Sequence, residues 1–540
     1  MTAILHMQTP DQMLHLLNDL VSYKSITLSE EEKHIPLRIQ QHILRIPYFE
    51  ANPGLVDIHI TTDSRYFLTA LYKHEGAKKT VIMVSHFDVV DVEDYGKLKH
   101  LACLPEELTK ELKNHPELLS PQARLDLESG DWLFGRGTMD MKCGIVQHIS
   151  LLERASAEDW NVNLLLLSVP DEEVNSVGMR EAIPKLLELT ETHSLDYTLF
   201  LNSEPMFTQS VHDDNHYFYT GSIGKILPGI LCYGKETHVG EPLSGVNAAW
   251  MSSMFTQEME WNELLCESVN GQSSPPPTIL WQKDLKKEYS AQIPDRSVSL
   301  YNAFLMNRNP AEIMDILVGL STKTAKKMEA SLQNKFLKLN AGHTRPPKIK
   351  VITYKELKEY AIEKTSETYI ASLEHSIAKE RKGDNRVQSI DIVDQLATIC
   401  KELAPMAILF FAPPYYPAVN TEEEPVINEL SASLIDYAKK RFGYDMQPVS
   451  YFNGISDLSY ATLQASIGEM ETFNANLPGD NELYDIPFRD IARFNAPVLN
   501  VGPIGKDAHK HSERLYLPFA FGELPHLLTH IIKLHEKQTV

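Results

Sequence analysis

The stretch NLLLLSVPDEEVNSVG, residues 163–178, decides the fold prediction. Its first seven residues form a nearly continuous apolar run, which is typical of a strand buried on both faces of a sheet. Three adjacent carboxylates follow the run: Asp171, Glu172 and Glu173. Because like charges at this spacing repel one another, the cluster requires a compensating charge, and a bound cation is one candidate.

Three other apolar runs also end in chemically active side chains. TVIMVSH (80–86), YTLFLNS (197–203) and APVLNVG (496–502) lead into Asp88, Glu204 and His509 respectively. Helical patterns such as GIVQHISLLERA separate the runs, so the sequence predicts a doubly wound α/β fold. In such folds the ligand site lies at the carboxyl ends of the strands, which would gather these side chains at one edge of the sheet.

A fifth segment, GDWLFGRGTMDMKCGIVQHIS (130–150), adds one more carboxylate. Gly135 and Gly137 mark a tight loop, and Asp140 lies near the start of a predicted helix. One carboxylate at such a place can bridge two metal ions about 3.5–4 Å apart. Histidine and carboxylate ligands suit zinc, cobalt or manganese better than softer metals. The sequence therefore predicts two divalent ions, with zinc favoured.

Each segment alone also has a structural interpretation. Carboxylates after a strand often begin a helix, with Asp capping it. The His86–Asp88 pair could be a satisfied surface pair, Glu204 before Pro205 an ordinary turn residue, and His509 one histidine among 21. The RGTMD loop could bind phosphate, although it lacks the GxGxxG spacing. All segments together, in this order, favour a catalytic site.

The composition limits the partners and the compartment. The chain has 540 residues and a net charge of −22, which allows two or three domains and disfavours nucleic acid and anionic membranes as partners. The five cysteines are scattered without a CxxC pair, which predicts a reducing, cytoplasmic location without disulfides. We find no signal peptide and no run of about 18 apolar residues that could span a membrane.

The middle of the chain interrupts the α/β pattern. It includes the polar, Pro-rich GQSSPPPTILWQ and a long charged helix candidate at 354–380. We interpret residues 221–415 as a second domain inserted into the first. The predicted catalytic domain then consists of residues 1–220 and 416–540.

Five motifs in this order resemble one enzyme family: HFD (86–88), GRGTMDMK (135–142), DEE (171–173), EP (204–205) and HKHSE (509–513). The set resembles metallopeptidase family M20, the co-catalytic zinc hydrolases that include aminoacylase, acetylornithine deacetylase, succinyl-diaminopimelate desuccinylase and peptidase T. WLFGRGTMDMK, MAILFFAPPYYP and SYFNGISDLSY look most like the branch of the arginine-utilisation protein RocB, whose name suggests substrates related to arginine or ornithine. The resemblance implies a zinc-aminopeptidase-like catalytic domain with a mixed, largely parallel sheet, and an inserted α+β lid or dimerisation domain.

The resemblance also implies roles for single residues. His86 and Glu204 would bind one metal, Glu173 and His509 the other, and Asp140 would bridge them. Asp88 would orient His86, and Glu172 would be the general base and acid. In the lid, GKETHVGEPLSGVNAAW (234–250) implies His238 as a donor to the oxyanion or a substrate carboxylate, often from across a dimer, with Asn247 beside it. GISDLSY (454–460) supplies Ser456 and Asp457, which could line the pocket or form a plain turn.

Two departures from the family pattern stand out. The lid segment SVSLYNAFLMNRNP (297–310) lacks the usual DxR arginine, for which Asn302 or Arg308 could substitute. The spacing between Asp88 and Asp140 is also longer than usual, because an insertion occupies residues 95–130.

The sequence thus predicts a metal-dependent hydrolase that cleaves an amide in a peptide, an N-acyl amino acid or an N-carbamoyl amino acid. Water activated by two metals would attack, Glu172 would move the proton, and His238 would steady the oxyanion. The expected partner is this small substrate, with a homodimer through the lid as an option. The alternative is an inactive metal-binding family member that acts as a sensor or scaffold, although the retained Glu172 argues against it. A serine hydrolase is disfavoured, because the chain has no GxSxG elbow.

Overall fold

The computed structural model describes residues 5–208, 213, 215–339, 346–380, 384–479 and 483–538. The strands within these residues are, in chain order, β1 (Val56–Ile60), β2 (Tyr66–Tyr72), β3 (Lys79–His86), β4 (Trp132–Phe134), β5 (Asn163–Val169), β6 (Asp196–Asn202), β7 (His216–Tyr219), β8 (Gly221–Ser222), β9 (Gly224–Tyr233), β10 (Ser268–Val269), β11 (Gln272–Ser273), β12 (Thr278–Asp284), β13 (Arg296–Leu305), β14 (Lys350–Thr353), β15 (Met406–Tyr416), β16 (Val419–Asn420), β17 (Met446–Val449), β18 (Val498–Asn500), β19 (Gly505–Lys506) and β20 (Arg514–Tyr516).

The α-helices of the same residues are α1 (Pro10–Ser22), α2 (Ile35–Ile43), α3 (Pro47–Ala51), α4 (Pro105–Asn114), α5 (Pro121–Ser129), α6 (Cys143–Glu158), α7 (Val177–His193), α8 (Ala248–Met259), α9 (Pro310–Lys338), α10 (Tyr354–Lys364), α11 (Glu367–Glu380), α12 (Asn385–Ile399), α13 (Pro425–Phe442), α14 (Ile467–Ala475), α15 (Phe488–Phe494) and α16 (Leu524–Lys537). None of the helices that the structure describes combines the length and the apolar character needed to cross a bilayer. All five cysteines are free thiols, as expected from their scattered positions.

The chain divides into two compact units. The first comprises Met1–Ser222, Val419–Leu463 and Arg489–Val540, and the second comprises Ile223–Ala418 and Gln464–Phe488. Residues 464–488 therefore belong to the second unit, although they fall within the predicted catalytic segment 416–540. That the second unit acts as a lid or a dimerisation domain stays a prediction.

The first unit is built on a mixed, largely parallel sheet, as predicted. Its order is β1-β2-β5-β3-β6-β18-β7-β17. The pairs β5–β3, β3–β6, β6–β18 and β7–β17 are parallel, and the other neighbours are antiparallel. All seven residues of β5 are buried, which explains its continuous apolar run. Helices such as α1, α6 and α16 cover the sheet and share one core with it.

The functional edge of the first unit follows from this topology. Strands β5, β3, β6 and β18 run parallel to one another, so their carboxyl ends meet at one edge. The strands end at Val169, His86, Asn202 and Asn500, a few residues before the predicted site segments or within them. The sheet therefore delivers those segments to a single place, as the sequence predicts.

The second unit has an α+β architecture. Its five-stranded sheet has the order β12-β13-β9-β15-β14, in which only β14 and β15 pair in parallel. Helices α10 and α12 share a hydrophobic core with β9, β13 and β15, which includes Leu231, Val298 and Ile408.

The prediction of one long helix in the second unit is wrong. The charged segment 354–380 forms two helices, α10 and α11, with a break at Thr365 and Ser366. The Thr365 backbone leaves the helical region, with φ −124° and ψ −96°. The Ser366 hydroxyl accepts a hydrogen bond from the Tyr369 amide at 3.2 Å, which caps the next helix. Short polar side chains compete in this way with a continuous helix.

The buried central strand yields a stability prediction. Leu166 lies in β5 with no exposed surface, so Leu166→Ala should lower the free energy of unfolding by about 2–5 kcal/mol through lost burial and a cavity. The matched control is Leu125→Ala, because the Leu125 side chain is 61% exposed. Urea denaturation of the metal-free protein, followed by tryptophan fluorescence, measures both. Equal shifts in the two variants would contradict the assignment of β5 to the core.

Candidate metal centre

The first set of donor atoms surrounds His86, at the end of β3. Its Nε2 atom lies 3.2 Å from Oδ1 of Asp140 and 3.4 Å from Oε1 of Glu204. His86 and Glu204 are buried, and Asp140 is nearly so. These three residues could hold one metal ion.

The second set surrounds His509, in the loop between β19 and β20. Its Nε2 atom lies 3.1 Å from Oε1 of Glu173 and 3.3 Å from Oδ2 of Asp140. These three residues could hold a second ion. The two carboxylate oxygens of Asp140 therefore face different histidines, which is the arrangement that a bridging ligand requires.

The donor atoms fit divalent ions in spacing and in chemistry. Ligands about 2.0–2.2 Å from a tetrahedral zinc are roughly 3.3–3.6 Å apart, close to the distances found here. Burial, followed by repulsion from neighbouring carboxylates, raises the pKa values of Glu172 and Glu204 well above their ordinary range. Burial also raises the pKa of Glu173. A cation would relieve this crowding, so the site suits metal ions electrostatically.

Asp88 organises the segment that carries the carboxylates. Its Oδ1 atom accepts a hydrogen bond from the Glu172 amide at 3.1 Å, and its Oδ2 atom accepts one from the Glu173 amide at 3.3 Å. The Thr27 hydroxyl donates to Oδ2 at 2.8 Å. Asp88 thus joins the ends of β3 and β5 through its side chain.

His86 is oriented mainly by the backbone of Asp88. Nδ1 of His86 lies 3.0 Å from the Asp88 carbonyl oxygen and 3.4 Å from its carboxylate. A proton on Nδ1 would be donated to that carbonyl, which leaves Nε2 as the metal-binding nitrogen.

Glu172 lies beside the first set of donor atoms, but farther from His86 than Asp140 and Glu204 do. Its Oε2 atom is 3.8 Å from Nε2 of His86, and its side chain is buried. A carboxylate that lies next to the donor atoms in this way could exchange a proton with a molecule bound there.

Asp171 has a structural role at the start of a helix, as in the structural interpretation of the DEE segment. Its Oδ2 atom accepts a hydrogen bond from the Val177 amide at 3.0 Å, at the start of α7. Its Oδ1 atom accepts one from Nη1 of Arg65 at 2.9 Å. The buried Arg65 also contacts Glu32 at 3.2 Å. Arg65 therefore compensates two buried carboxylates behind the donor atoms.

A second buried arginine joins two of the motifs. Nη1 of Arg136 donates to Oε2 of Glu513 at 2.6 Å, and both side chains are buried. Oε1 of Glu513 accepts a hydrogen bond from the Gly137 amide at 2.7 Å. Gly137 has φ +76°, a left-handed conformation that favours glycine. This pair holds the loop before Asp140 against the loop of His509.

The predicted pocket residues fall into two groups. In the first unit, Ser456 and Asp457 are buried, and Ser456 accepts a hydrogen bond from Nδ2 of Asn202 at 2.9 Å. Burial raises the pKa of Asp457 to about 7. In the second unit, His238 is exposed, and Asn247 caps α8 by accepting a hydrogen bond from the Trp250 amide at 3.2 Å.

The residues that support the donor atoms were not predicted from the sequence. Arg136 and Glu513 stand inside the motifs, so their opposite charges were a usable signal. Arg65 and Glu32 stand outside every motif. Arg65 meets Asp171 across 106 positions of the chain, which no local pattern reveals.

Comparison with known proteins places the chain among metallopeptidases. The sequence model of Peptidase family M20/M25/M40 matches residues 83–520. YqjN, an uncharacterised protein of Bacillus subtilis (strain 168), is 44% identical over 537 residues, which cover 98% of each chain. Protein RocB of the same organism is 31% identical over 545 residues, which cover 98% of this chain and 95% of RocB. An M20 family metallo-carboxypeptidase from Sulfolobus solfataricus, Sso-CP2, has the same fold, with a TM-score of 0.55, 12% identity and coverage of 97% of this chain and 99% of that chain.

The buried arginine behind the site yields a second prediction. Arg65→Met should lower the free energy of unfolding by about 3–5 kcal/mol, because Glu32 and Asp171 lose their shared cation while staying buried. The double variant Arg65→Met/Glu32→Gln should recover part of the loss, since it removes one of the two carboxylates. Chemical denaturation at neutral pH measures both.

The control for this prediction is Arg493→Met, which removes an exposed arginine whose ion pairs with Asp490 and Glu191 measure 3.7 and 4.0 Å. Its loss should stay below about 1 kcal/mol. If Arg65→Met destabilised the protein no more than Arg493→Met, the compensating role of Arg65 would be refuted.

Proposed function

The chain belongs to peptidase family M20/M25/M40 and is a metallohydrolase, and on this premise we propose that it cleaves an amide bond in a small substrate. The family expected from the motifs is thereby confirmed. The substrate class that we propose is a short peptide, an N-acyl amino acid or an N-carbamoyl amino acid. The observation that carries the proposal is the position of Asp140, whose two oxygens lie 3.2 and 3.3 Å from the Nε2 atoms of His86 and His509.

The proposed metal ligands form two sets that share Asp140. His86 and Glu204 would hold one ion with it, and Glu173 and His509 would hold the other. Zinc is the favoured metal, with cobalt or manganese as alternatives. When bound, two such ions would polarise the scissile carbonyl and lower the pKa of the attacking water.

Glu172 is the proposed general base and acid. Asp88 fixes its backbone, and the side chain lies 3.8 Å from His86, near the reacting groups but outside the closest donor contacts. Its carboxylate would take a proton from the attacking water and then transfer that proton to the leaving amine. The same buried carboxylate argues against a purely sensing protein, which has no need of a base.

The proposed substrate contacts are the pocket residues that the motifs predict. Ser456 and Asp457 stand beside the strand ends of the first unit, where the charge of Asp457 acts on Glu172 and Glu204. His238 of the second unit is the proposed donor to the oxyanion, with Asn247 as a further pocket residue. Derivatives of arginine and ornithine are proposed on the 31% identity with RocB together with the motif resemblance. A homodimer through the second unit is a further option, since β12 lies at the edge of its sheet.

Replacement of the base tests the proposed mechanism. Glu172→Gln should reduce turnover by at least roughly 10²–10⁴-fold, because the amide cannot accept the proton. Its metal content should stay at that of the native protein, since Glu172 is not a proposed ligand. Amine release and elemental analysis measure the two quantities. Glu50→Gln, which changes an exposed carboxylate on α3, is the matched control. Near-native turnover in Glu172→Gln would refute its assigned role.

Metal removal tests the reaction class. Amine release should be assayed on N-acetyl and N-carbamoyl amino acids, including those of arginine and ornithine, and on dipeptides. Activity should disappear after chelation and return with zinc, cobalt or manganese, because the donor sets suit these ions. Activity that survives complete metal removal would refute the proposal. Two bound metals with no release from any substrate would favour the sensor or scaffold instead.

A further inference from the structure

We propose that the insertion at residues 95–130 is a brace that fixes the position of His509, and that its acidic residue Asp126 is a positioning residue for one of the two metal sites. This inference rests on the proposed function only in treating His509 as a ligand. The insertion lengthens the spacing between Asp88 and Asp140, and the proposed reaction assigns no role to its residues.

The insertion is an ordered structure with its own core. Helices α4 and α5 pack with β4 through a separate hydrophobic cluster that includes Leu108, Leu112, Leu127 and Phe134. Ile504 and Tyr516, which flank the loop of His509, pack against the same cluster. The insertion and that loop therefore share a packed interface.

The loop of His509 is the tip of a β-hairpin, and the strand that follows the insertion pairs with this hairpin. Strands β19 and β20 pair antiparallel, with Lys506 opposite Arg514. Strand β4, which follows the insertion directly, pairs with β20 and completes a three-stranded sheet. The residues between the two hairpin strands include Asp507, His509 and Glu513.

Asp126 of α5 holds the residue pair that closes the loop of this hairpin. Its Oδ2 atom accepts hydrogen bonds from Nε and Nη2 of Arg514 at 2.8 and 2.7 Å. Nζ of Lys506 donates to the same oxygen at 3.1 Å. Asp126 and Arg514 are buried, so the interaction is shielded from solvent. One carboxylate thus holds the two residues that face each other across the hairpin.

The clamp continues into the loop itself. Nη1 of Arg514 donates to Oδ2 of Asp507 at 2.5 Å, and the Ser512 hydroxyl donates to the same oxygen at 2.8 Å. Asp507 and His509 have φ values of +60° and +63°, left-handed conformations that cost free energy in residues with side chains. Nε2 of His511 lies 3.0 Å from the Leu118 carbonyl, a second contact with the insertion. The strained loop therefore relies on the insertion for its shape.

The other donor set has a different support. His86 stands at the end of β3, in the interior of the main sheet, whereas the Asp126 carboxylate accepts hydrogen bonds from Gln122, Lys506 and Arg514. Loss of the clamp should therefore weaken the site of Glu173 and His509 and spare the site of His86 and Glu204.

The test compares Asp126→Asn with Asp19→Asn in the chain of 540 residues. Asp19 is a matched control, because its carboxylate likewise accepts hydrogen bonds from one arginine, Arg38, at 2.7 and 2.8 Å. Cobalt titration, followed by its visible absorption, should show one of two equivalents bound about 10–100-fold more weakly in Asp126→Asn, as is usual when a support of a ligand is lost. Hydrogen exchange of metal-free protein should be faster in residues 505–514 of this variant. Asp19→Asn should change neither quantity.

A second variant covers the case in which Asp126→Asn does not fold. Lys506→Met removes one of the two cations from Asp126 and should produce the same changes with smaller size. Unchanged cobalt affinities and unchanged exchange in 505–514 for the variants that fold would overturn the brace. If native protein bound no cobalt, the proposed metal function would fail, while the exchange measurement would still decide whether Asp126 holds the hairpin.

Discussion

The concentration of negative charge at one edge of the first unit's sheet is the constraint on which the structure depends. Parallel strands bring their carboxyl ends together, and in this chain those ends carry Asp88, Asp171, Glu172, Glu173 and Glu204. Burial raises the pKa values of several of these groups, because charged forms are expensive away from water. Cations near these carboxylates therefore stabilise the folded state. Arg65 supplies part of that charge at Asp171, and the proposed metal ions would supply more of it at Glu173 and Glu204.

The division of labour within the DEE segment follows from this constraint. Asp171 contacts Arg65 and accepts a hydrogen bond from Val177, the first residue of α7, whereas Glu173 contacts His509. The Asp88 carboxylate fixes the backbone of this segment by accepting hydrogen bonds from the Glu172 and Glu173 amides. The neighbours of Glu172 in the chain are thus held by other partners. Glu172 itself lies 3.8 Å from Nε2 of His86, farther than Asp140 and Glu204. This position is compatible with the proposed role of Glu172 as the general base.

The sequence predicted the elements that a local pattern can encode. Continuous apolar runs identified β3, β5, β6 and β18, and ordered motifs identified the donor residues that the structure brings together. It failed where partners are distant in the chain. Arg65 with Asp171, and Arg514 with Asp126, pair across 106 and 388 positions. The break at Thr365 and the placement of 464–488 in the second unit depend on local capping and on packing, which periodicity does not record.

The two histidines show why the supports differ. The His86 side chain is 1% exposed at the end of an interior strand, whereas the His509 side chain is 48% exposed at a hairpin tip. A buried side chain on a strand has already lost its freedom on folding, but an exposed side chain on a loop must lose it on binding. Supports outside the ligand shell reduce that loss by fixing the loop in advance. A long insertion beside the His509 hairpin is therefore placed where added rigidity has the largest effect, and an equal insertion behind β3 would gain little.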